Sequence, residues 1–548
     1  MKLKITSTVT RHLLTMILTG CCFACSKFLD VTPTDQISDD GVWTDTKTAD
    51  LFLNNVYSGL PGPFNTFDPT ENFTDNAMNG VNGQPSRVLY ANSVYTASNT
   101  PHNWSQYANI RRANLFIEKV TASNLPDSWK KVRLAEARFL RAYYYHLLWT
   151  YHGGVPIITN TLNQNTQGDE IFRARNTDEE TYQFIVAECA AIAADLPLKA
   201  EAGRISRAAA LTLKGWCELF YASPLKNPSN EKSRWELAAA TNKQVIDLGS
   251  HSLFPDYETM FYEGNNNNVE VIFAKQYLGG TALGAGREGL QGPWIVGGVQ
   301  RAYGGVDPTQ ELVDEYAMAN GLPISDPQSG YDPQNPYANR EKRFYQSIVF
   351  DGSTWLGSEM VMKQGMGSRN ATDLSNTNEA TNTGYYLRKG LDPKYAVNGN
   401  HMLSSAAFII FRYAEVLLSY AEAKNEASGP DGAVYDAINQ VRARSGLPAL
   451  KTGLTQAQMR VVIQRERRVE LAFEEKRWYD LIRLKTAEKN LNGTLHGMRI
   501  DQVGGKWVYT VIAAPDGSRT FYPEKNYLFP IPQSAMNQNT KLTQNPNY

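Results

Sequence analysis

The chain has 548 residues, of which 42% are hydrophobic and 11% aromatic, so it is long enough to bury a large core. Its 54 Lys and Arg residues balance 55 Asp and Glu residues, and the net charge of −1 argues against a nucleic-acid partner. Beyond the first 25 residues no apolar run approaches the roughly 20 residues needed to span a bilayer.

The N-terminus predicts a cleaved export signal. Positive charges precede the apolar stretch LLTMILTGCCFA, which contains Cys21 and Cys22 and is followed directly by Cys25, so three cysteines fall within five residues. A redox pair would need a folded scaffold around it, and a zinc site would need two more ligands. The pattern therefore favours a bacterial lipoprotein signal at residues 1–24, with Cys25 acylated as the new N-terminus and Cys21, in LTGC, as the alternative. Acyl chains on this cysteine would anchor the protein to a membrane.

Long amphipathic stretches then predict helices in both halves of the chain. The helix in EARFLRAYYYHLLWTYHGGVP has apolar residues three or four positions apart, and Gly153, Gly154 and Pro156 are expected to end it. Further helices are predicted in EETYQFIVAECAAIAADLP, GRISRAAALTLKGWCELFYASP, WELAAATNKQVIDLG, FRYAEVLLSYAEAKNEA and DAINQVRARSG. Small alanines beside large aromatic residues suit closely stacked helix pairs, which predicts a mainly all-α, tetratricopeptide-like helical-repeat scaffold.

Residues 265–400 differ in composition from these helical stretches. Val269–Gln276 predicts a strand, and the loops that follow are rich in Gly, Asn and Tyr. Long irregular segments inside a helical protein commonly carry function. We therefore expect one domain over 25–548, with a helical part at 25–264, a ligand region at 265–400, and a helical part with a tail at 401–548.

Two motifs favour structural interpretations. GAGREG (284–289) matches a dinucleotide fingerprint, but Gly292 and Pro293 oppose the helix that should follow, so an exposed loop is predicted. The segment ERRVELAFEEKRWYD, read as one helix, spaces Glu466, Glu470 and Glu474 four residues apart. Arginines such as Arg442 and Arg444 would pair with these carboxylates in a structural ion-pair network.

No cofactor, metal site or catalytic constellation is predicted. The seven histidines lack HExxH or other ligand spacing, and His146, on an aromatic helix, is expected to be a hydrogen-bonded structural residue. Cys189 and Cys217 lie in apolar helical segments, and whether they pair stays open.

Aromatic residues in the loops suggest sugar binding. Flat rings beside Asn, Asp and Arg can stack on the C–H faces of sugars while the polar groups bond to hydroxyls. From their positions in GPWIVGG and DGSTWLG, Trp294 and Trp355 are predicted to bind ligand.

Several segments, in this order, resemble the SusD/RagB family of Bacteroidetes outer-membrane lipoproteins over nearly the whole chain. They are CSKFLDVTP, AEARFLRAYYYHLLWTYHGGVPII, GRISRAAALTLKGW, NNVEVIFAKQY, RYAEVLLSYAEAKNEA, INQVRARSGLP, ERRVELAFEEKRWYDLIR and LFPIPQSAMNQNTKLTQNPNY. The resemblance implies a SusD-like scaffold of four tetratricopeptide-like units. It also implies a non-enzymatic, cell-surface lipoprotein that captures glycans or other nutrients and passes them to a SusC-like TonB-dependent transporter.

The resemblance also implies two ligand residues. Asp75 in FTDNAMNG matches a family position often near the ligand, and Trp104 lies where the family often supplies an aromatic residue. Ser26, Lys27 and Phe28 depart from the acidic residues that usually follow the acylated cysteine, which leaves outward or periplasmic orientation open. A surface glycoside hydrolase and a protein-binding scaffold without a small ligand are the alternative functions, and the nutrient itself stays open.

Overall fold

The structure, a computed structural model, describes residues 39–66, 68–81, 84, 89–100, 104–367, 370, 381–396 and 403–548. The predicted signal segment and both candidate lipidation sites, Cys25 and Cys21, lie outside these residues. The described chain is mainly helical, as predicted, with several short two-stranded sheets. None of its helices is long and apolar enough to cross a membrane.

The α-helices are numbered here in chain order. They are α1 Asp39–Val42, α2 Thr46–Tyr57, α3 Gln106–Ala122, α4 Asp127–His152, α5 Gln164–Gln167, α6 Asp178–Ile192, α7 Arg207–Ala222, α8 Lys232–Asp247, α9 Arg287–Gln291, α10 Gln310–Val313, α11 Lys342–Ser347, α12 Tyr413–Ser428, α13 Gly432–Arg444, α14 Gln456–Glu470, α15 Arg477–Arg483, α16 Ala487–Asn490 and α17 Gln533–Gln538. Short 3-10 turns occupy Pro63–Asn65, Thr70–Phe73, Gly168–Ile171, Ala193–Asp195, Thr259–Phe261 and Glu263–Asn265.

Helix α4 lies at the centre of the scaffold. Every side chain from Phe139 to His152 is buried, which is expected of a helix with apolar and aromatic residues on all sides. It ends at Gly153, whose φ of 75° suits glycine. A Cβ on Gly154 would lie 2.2 Å from the Asn176 carbonyl oxygen, so this position admits only glycine without a backbone shift. The predicted stop is confirmed.

Each long helix packs on the next one in a continuous stack. Helix α2 contacts α3, α3 contacts α4, α4 contacts α6, α6 contacts α7, and α7 contacts α8. The stack continues from α8 to α12, which contacts both α13 and α14. Nearest-neighbour packing of helix pairs is the arrangement of a helical-repeat scaffold, which confirms the predicted fold.

The chain leaves this stack at strand β2 and returns through β10 beside it. The strands are β1 Ala77–Met78, β2 Val271–Lys275, β3 Ile295–Val296, β4 Val299–Gln300, β5 Asp307–Pro308, β6 Ile348–Val349, β7 Thr354–Trp355, β8 Ser358–Glu359, β9 Tyr386–Leu387, β10 Phe408–Arg412, β11 Gly493–Val503 and β12 Lys506–Arg519. The antiparallel pairs are β1–β5, β2–β10, β3–β4, β6–β9, β7–β8 and β11–β12. The pairing of β2 with β10 therefore brings the two ends of the long segment between them together beside the helices.

Two local predictions are wrong. The predicted single helix through ERRVELAFEEKRWYD breaks after Glu470, because Phe473 and Glu475 both adopt φ of 62°, the left-handed region. The ion pairs that Glu474 makes with Arg412 and Lys389 hold this turn against the local helix preference.

The GAGREG segment is not an exposed loop. Arg287–Gln291 forms a five-residue helix, α9, and every residue in it is buried. The Arg287 guanidinium lies 4.8 Å above the centre of the Phe64 ring, so the segment is packed under the 3-10 turn at Pro63–Asn65. Gly292 is extended and limits the helix to this length.

Candidate ligand-binding site

Four loop segments converge beside the helical stack: 68–81, 292–309, 354–359 and 381–387, together called the loop layer. Strand β1 pairs with β5, and the backbone N–H of Gly80 donates to the Gly304 carbonyl at 3.1 Å. Asn382 joins segment 381–387 to the first two segments, since its backbone N–H donates to Asp307 Oδ2 at 2.7 Å and its side chain donates to the Asn79 carbonyl at 3.1 Å. Buried amide and carboxylate groups therefore fix the base of the layer.

Two tight hairpins form the outer part of the loop layer. The β3–β4 hairpin turns through Gly297 and Gly298, at φ of 57° and 77°. The β7–β8 hairpin lies against its tip, because a Cβ on Gly297 would stand 2.7 Å from Ser358 Oγ. The hairpins thus contact one another at a point where any larger side chain would force the Ser358 hydroxyl to move.

Trp294 and Trp355 lie together in this layer but are covered. They are 8% and 2% exposed and belong to one apolar cluster with Tyr385 and Tyr386. The Arg388 guanidinium sits 5.4 Å from the centre of the Trp355 ring. In this conformation the two indoles support the hairpins and offer little ring surface to a ligand, so their ligand role stays a prediction.

Asp75 lies at the base of the loop layer and is fully paired. Arg477 donates to both of its oxygens, at 2.7 and 2.8 Å, Asn490 donates to Oδ2 at 2.8 Å, and Arg468 lies 3.1 Å away. These partners outweigh the desolvation from burial and hold the pKa of Asp75 below its usual range. Its carboxylate therefore has a structural role in this conformation, and direct ligand contact stays a prediction.

Trp104 is placed elsewhere. It is half-buried against the main helical core, with its ring centre 5.2 Å from that of Tyr107 and 5.3 Å from that of His152. The structure thus brings Trp294 and Trp355 together, sets Asp75 beneath the same layer, and puts Trp104 in a separate cluster on α3 and α4.

The predicted ion-pair network is confirmed and is larger than expected. Arg442 pairs with Glu466, and Arg444 pairs with Glu470. Arg412, at the end of β10, joins Glu470 and Glu474 at 2.7 Å each. The network also contains Glu270, Glu341, Arg343 and Lys389.

This network fastens the loop layer to the helices. Lys389, just after β9, donates to Glu474 at 2.6 Å and to the backbone carbonyls of Glu470 and Ala472 at 2.9 Å. Arg412 and Lys389 lower the pKa of Glu474 to about 2 although burial opposes this. A carboxylate so tightly paired is suited to holding structure and unsuited to proton transfer at neutral pH.

Side chains at the rim of the layer can reach a ligand. Gln300 is exposed at the end of the β3–β4 hairpin, and Arg301 and Tyr303 are half-buried beside it. A guanidinium, an amide and a phenol on one short segment supply donors, acceptors and an aromatic face for a hydroxyl-rich ligand. In the part of the chain that the structure describes, no group of three or more His, Cys, Asp or Glu residues could hold a metal ion.

His146 is buried as predicted, but the expectation that it is hydrogen-bonded is wrong. Neither of its ring nitrogens makes a hydrogen bond of normal geometry. The cavity that it lines is also formed by distant residues such as Trp216, Phe411 and Tyr479, so no local signal could have revealed this.

The sequence profile of the SusD family matches residues 269–548, which is just over half of the chain. The chain belongs to the SusD family. A second family profile, described as starch-binding and associating with the outer membrane, matches residues 27–214. The protein is therefore a SusD-like surface protein of the glycan-binding class and associates with the outer membrane.

Curated relatives of the SusD family extend over most of the chain. SusD-like protein P38 from Formosa agariphila is 24% identical over 518 residues, which cover 89% of this chain and 94% of the relative. SusD-like protein P2 from the same organism is 27% identical over 462 residues, or 81% of this chain and 80% of the relative.

Solved SusD-like structures share the fold. A SusD-like protein from Bacteroides fragilis superposes with a TM-score of 0.78 at 28% identity, covering 94% of this chain and all of that one. A SusD-like carbohydrate-binding protein from the same organism gives a TM-score of 0.76 at 28% identity, covering 92% of this chain and all of that one.

Proposed function

We propose that this protein is a non-enzymatic, cell-surface lipoprotein that captures a glycan and delivers it to a SusC-like TonB-dependent transporter. The observation that carries the proposal is the similarity, at 28% identity over 92% of the chain, to a SusD-like carbohydrate-binding protein. The description of the second matching family as starch-binding supports the same ligand class.

The loop layer is the proposed capture site. Gln300, Arg301 and Tyr303 would contact the glycan at its rim, while the buried Trp294 and Trp355 would keep the hairpins rigid beneath them. Preorganised polar and aromatic contacts of this kind give selectivity without a catalytic group. Asp75 would act by holding segment 68–81 in place through Arg477.

A glycan array probed with the soluble form starting at Ser26 tests the proposal. Tyr303→Ala removes a half-buried ring at the rim, and Tyr435→Ala removes a ring of the same exposure class on α13, away from the loop layer. We expect one glycan class to bind without turnover, with binding lost in Tyr303→Ala and kept in Tyr435→Ala. If the folded protein binds no glycan, the carbohydrate assignment fails and peptides become the next ligands to test. Release of shortened products would instead support the hydrolase.

The anchor is tested separately. We propose that Cys25 is acylated, with Cys21 as the alternative, because a multiply acylated cysteine holds a protein to a membrane. Metabolic labelling with a fatty acid should mark the wild type and Cys21→Ala but not Cys25→Ala. Loss of label only in Cys21→Ala would instead assign Cys21 as the acylated residue and place the cleavage site directly before it. Co-purification of a barrel transporter with the anchored protein would support the proposed partner.

A further inference from the structure

We propose that the helical scaffold contains a second, internal binding site for a small uncharged molecule rich in hydroxyl groups, of the size of one sugar ring. It is a partly enclosed cavity of about 340 Å³. The cavity is walled by helices α4 and α7, strand β10, the turn before α15 and loop residues 61–63, 66 and 68–70. The site shares Asp68, Pro69 and Thr70 with segment 68–81 of the loop layer but contains none of the rim residues Gln300, Arg301 and Tyr303, and it goes beyond glycan capture at that rim.

Unpartnered polar atoms point to a ligand in this cavity. His146 is only 4% exposed, lines the cavity from α4, and makes no hydrogen bond of normal geometry through either ring nitrogen. His152 is 1% exposed and lines the same space, and its Nε2 also has no hydrogen-bond partner, so three ring nitrogens at the cavity are unpaired. Tyr143 and Trp216 complete this part of the lining. Buried polar groups are rarely left unsatisfied, so three around one cavity indicate an occupant that bonds to them.

The charges around the cavity indicate that the occupant is uncharged. Lys476 is neutralised by Glu415 at 2.9 Å and also donates to the Ile410 carbonyl at 2.7 Å. Glu474 is held by Arg412 and Lys389. Lys476 and Glu474 therefore each have an opposite charge beside them, so an anionic ligand would find no unpaired cation among the described residues of the lining. The Asp68 carboxylate already accepts from the Asn79 amide at 2.9 Å.

The two histidines of the lining are uncharged, and Glu475 carries only part of a negative charge at pH 7. Burial lowers the pKa of His146 to about 3 and that of His152 to about 4, so both imidazoles are uncharged at pH 7. Burial and the neighbouring Glu71 raise the pKa of Glu475 to about 7, and the backbone N–H of Thr70 donates to its carboxyl at 2.6 Å. A neutral imidazole has one hydrogen-bond donor and one acceptor, and a hydroxyl group can accept from the first or donate to the second.

Aromatic walls favour a molecule with apolar faces as well as hydroxyls. The rings of Trp216 and Tyr479 meet edge to face at 5.3 Å, and the hydroxyls of Tyr151 and Tyr479 lie 2.8 Å apart. Sugar rings combine C–H faces with hydroxyl edges and suit such a lining. The turn carrying Glu475 also holds two residues at φ of 62°, a form of backbone strain that is common at binding sites.

The test uses the soluble full chain from Ser26, with its histidine rings isotopically labelled for NMR. D-glucose, D-galactose, D-mannose and N-acetyl-D-glucosamine are titrated individually, and His146→Phe identifies the His146 signal. We expect at least one sugar to shift that signal to saturation. Tyr143→Phe removes one cavity hydroxyl and should weaken this binding by roughly two- to tenfold.

A neighbouring residue on the same helix provides the matched control. The Tyr144 hydroxyl bonds to the Val56 carbonyl and does not line the cavity, so Tyr144→Phe should leave sugar affinity unchanged. The proposal is overturned if no sugar moves the His146 signal, if Tyr143→Phe and Tyr144→Phe behave alike, or if crystals soaked in sugar hold only ordered water. Glycan-array binding and its loss in Tyr303→Ala report on the loop layer alone, so either site can fail without the other.

Discussion

Arg477 donates two parallel hydrogen bonds to Asp75, from Nε to Oδ1 at 2.7 Å and from Nη2 to Oδ2 at 2.8 Å, across 402 residues of chain. The pair ties the first segment of the loop layer to helix α15. Both side chains are largely buried, and their ion pair offsets the cost of removing each charge from water. A residue that the family resemblance implied to be a ligand contact is therefore part of the frame beneath the proposed capture surface.

Replacing Asp75 by Asn should strongly destabilise the protein. The change leaves Arg468 and Arg477 without their shared carboxylate in a buried site, and we expect a loss of about 3–5 kcal/mol in the free energy of unfolding. Urea unfolding monitored by circular dichroism measures it. In the exposed pair of Arg499 and Asp501, Asp501→Asn should cost less than about 1 kcal/mol. An Asp75→Asn protein of normal stability that fails to bind glycan would restore the direct ligand role.

Trp355→Ala should also act on stability. The ring is almost completely buried among the loop-layer aromatics, so its removal leaves a cavity that costs about 3–5 kcal/mol in the free energy of unfolding. Trp355→Phe keeps part of the packing and should lose less. Thermal unfolding gives the ranking, and glycan binding is compared per folded molecule. A Trp355→Ala variant that unfolds like the wild type but no longer binds would show that the ring itself contacts the ligand.

Glu475 should make stability depend on pH in the neutral range. Its folded pKa of about 7 lies above the value of about 4.3 expected in the unfolded chain, so the native state holds the proton longer. The contribution of this group to stability is therefore present at low pH and is lost as the pH rises toward 7.

Glu475→Gln removes that loss while keeping an acceptor for the Thr70 N–H. The free energy of unfolding of the variant minus that of wild type should be about 2–3 kcal/mol larger at pH 8 than at pH 5. Urea unfolding series at both pH values measure this difference. The exposed Glu524→Gln serves as the control and should show no such difference. Parallel pH profiles for wild type and Glu475→Gln would contradict the burial assigned to this carboxyl.

The two cysteines of the helical scaffold should be free and unreactive in the native protein. Cys189 and Cys217 are buried thiols on the adjacent helices α6 and α7, and burial raises the pKa of both. Iodoacetamide should add no label to the native soluble form, because burial suppresses the reactive thiolate. In urea both thiols are exposed, and mass spectrometry should show two labels. Absence of label in urea until a reductant is added would reveal a disulfide instead.

Local sequence was sufficient for most of the scaffold. The periodicity of EARFLRAYYYHLLWTYHGGVP and its glycines predicted α4 and its end at Gly153, because helix stop signals act within one turn. The strand at Val271–Lys275 lies within the predicted Val269–Gln276, because a short apolar run is also a local signal. The pairing of Arg442 and Arg444 with carboxylates of the ERRVELAFEE segment also followed from composition, since buried charges require partners.

Features that depend on contacts between distant segments were decided only by the tertiary structure. The helix break after Glu470 is held by Arg412 and Lys389, and the helix at Arg287–Gln291 forms because other segments bury it. The burial of Trp355 and the unsatisfied ring of His146 likewise depend on neighbours far away in the chain. The amino-acid sequence alone determined the family, the helical scaffold and its ends, because these depend on short-range periodicity and capping. Which side chains face a ligand was decided by long-range packing, because exposure and hydrogen-bond satisfaction are properties of the assembled neighbours.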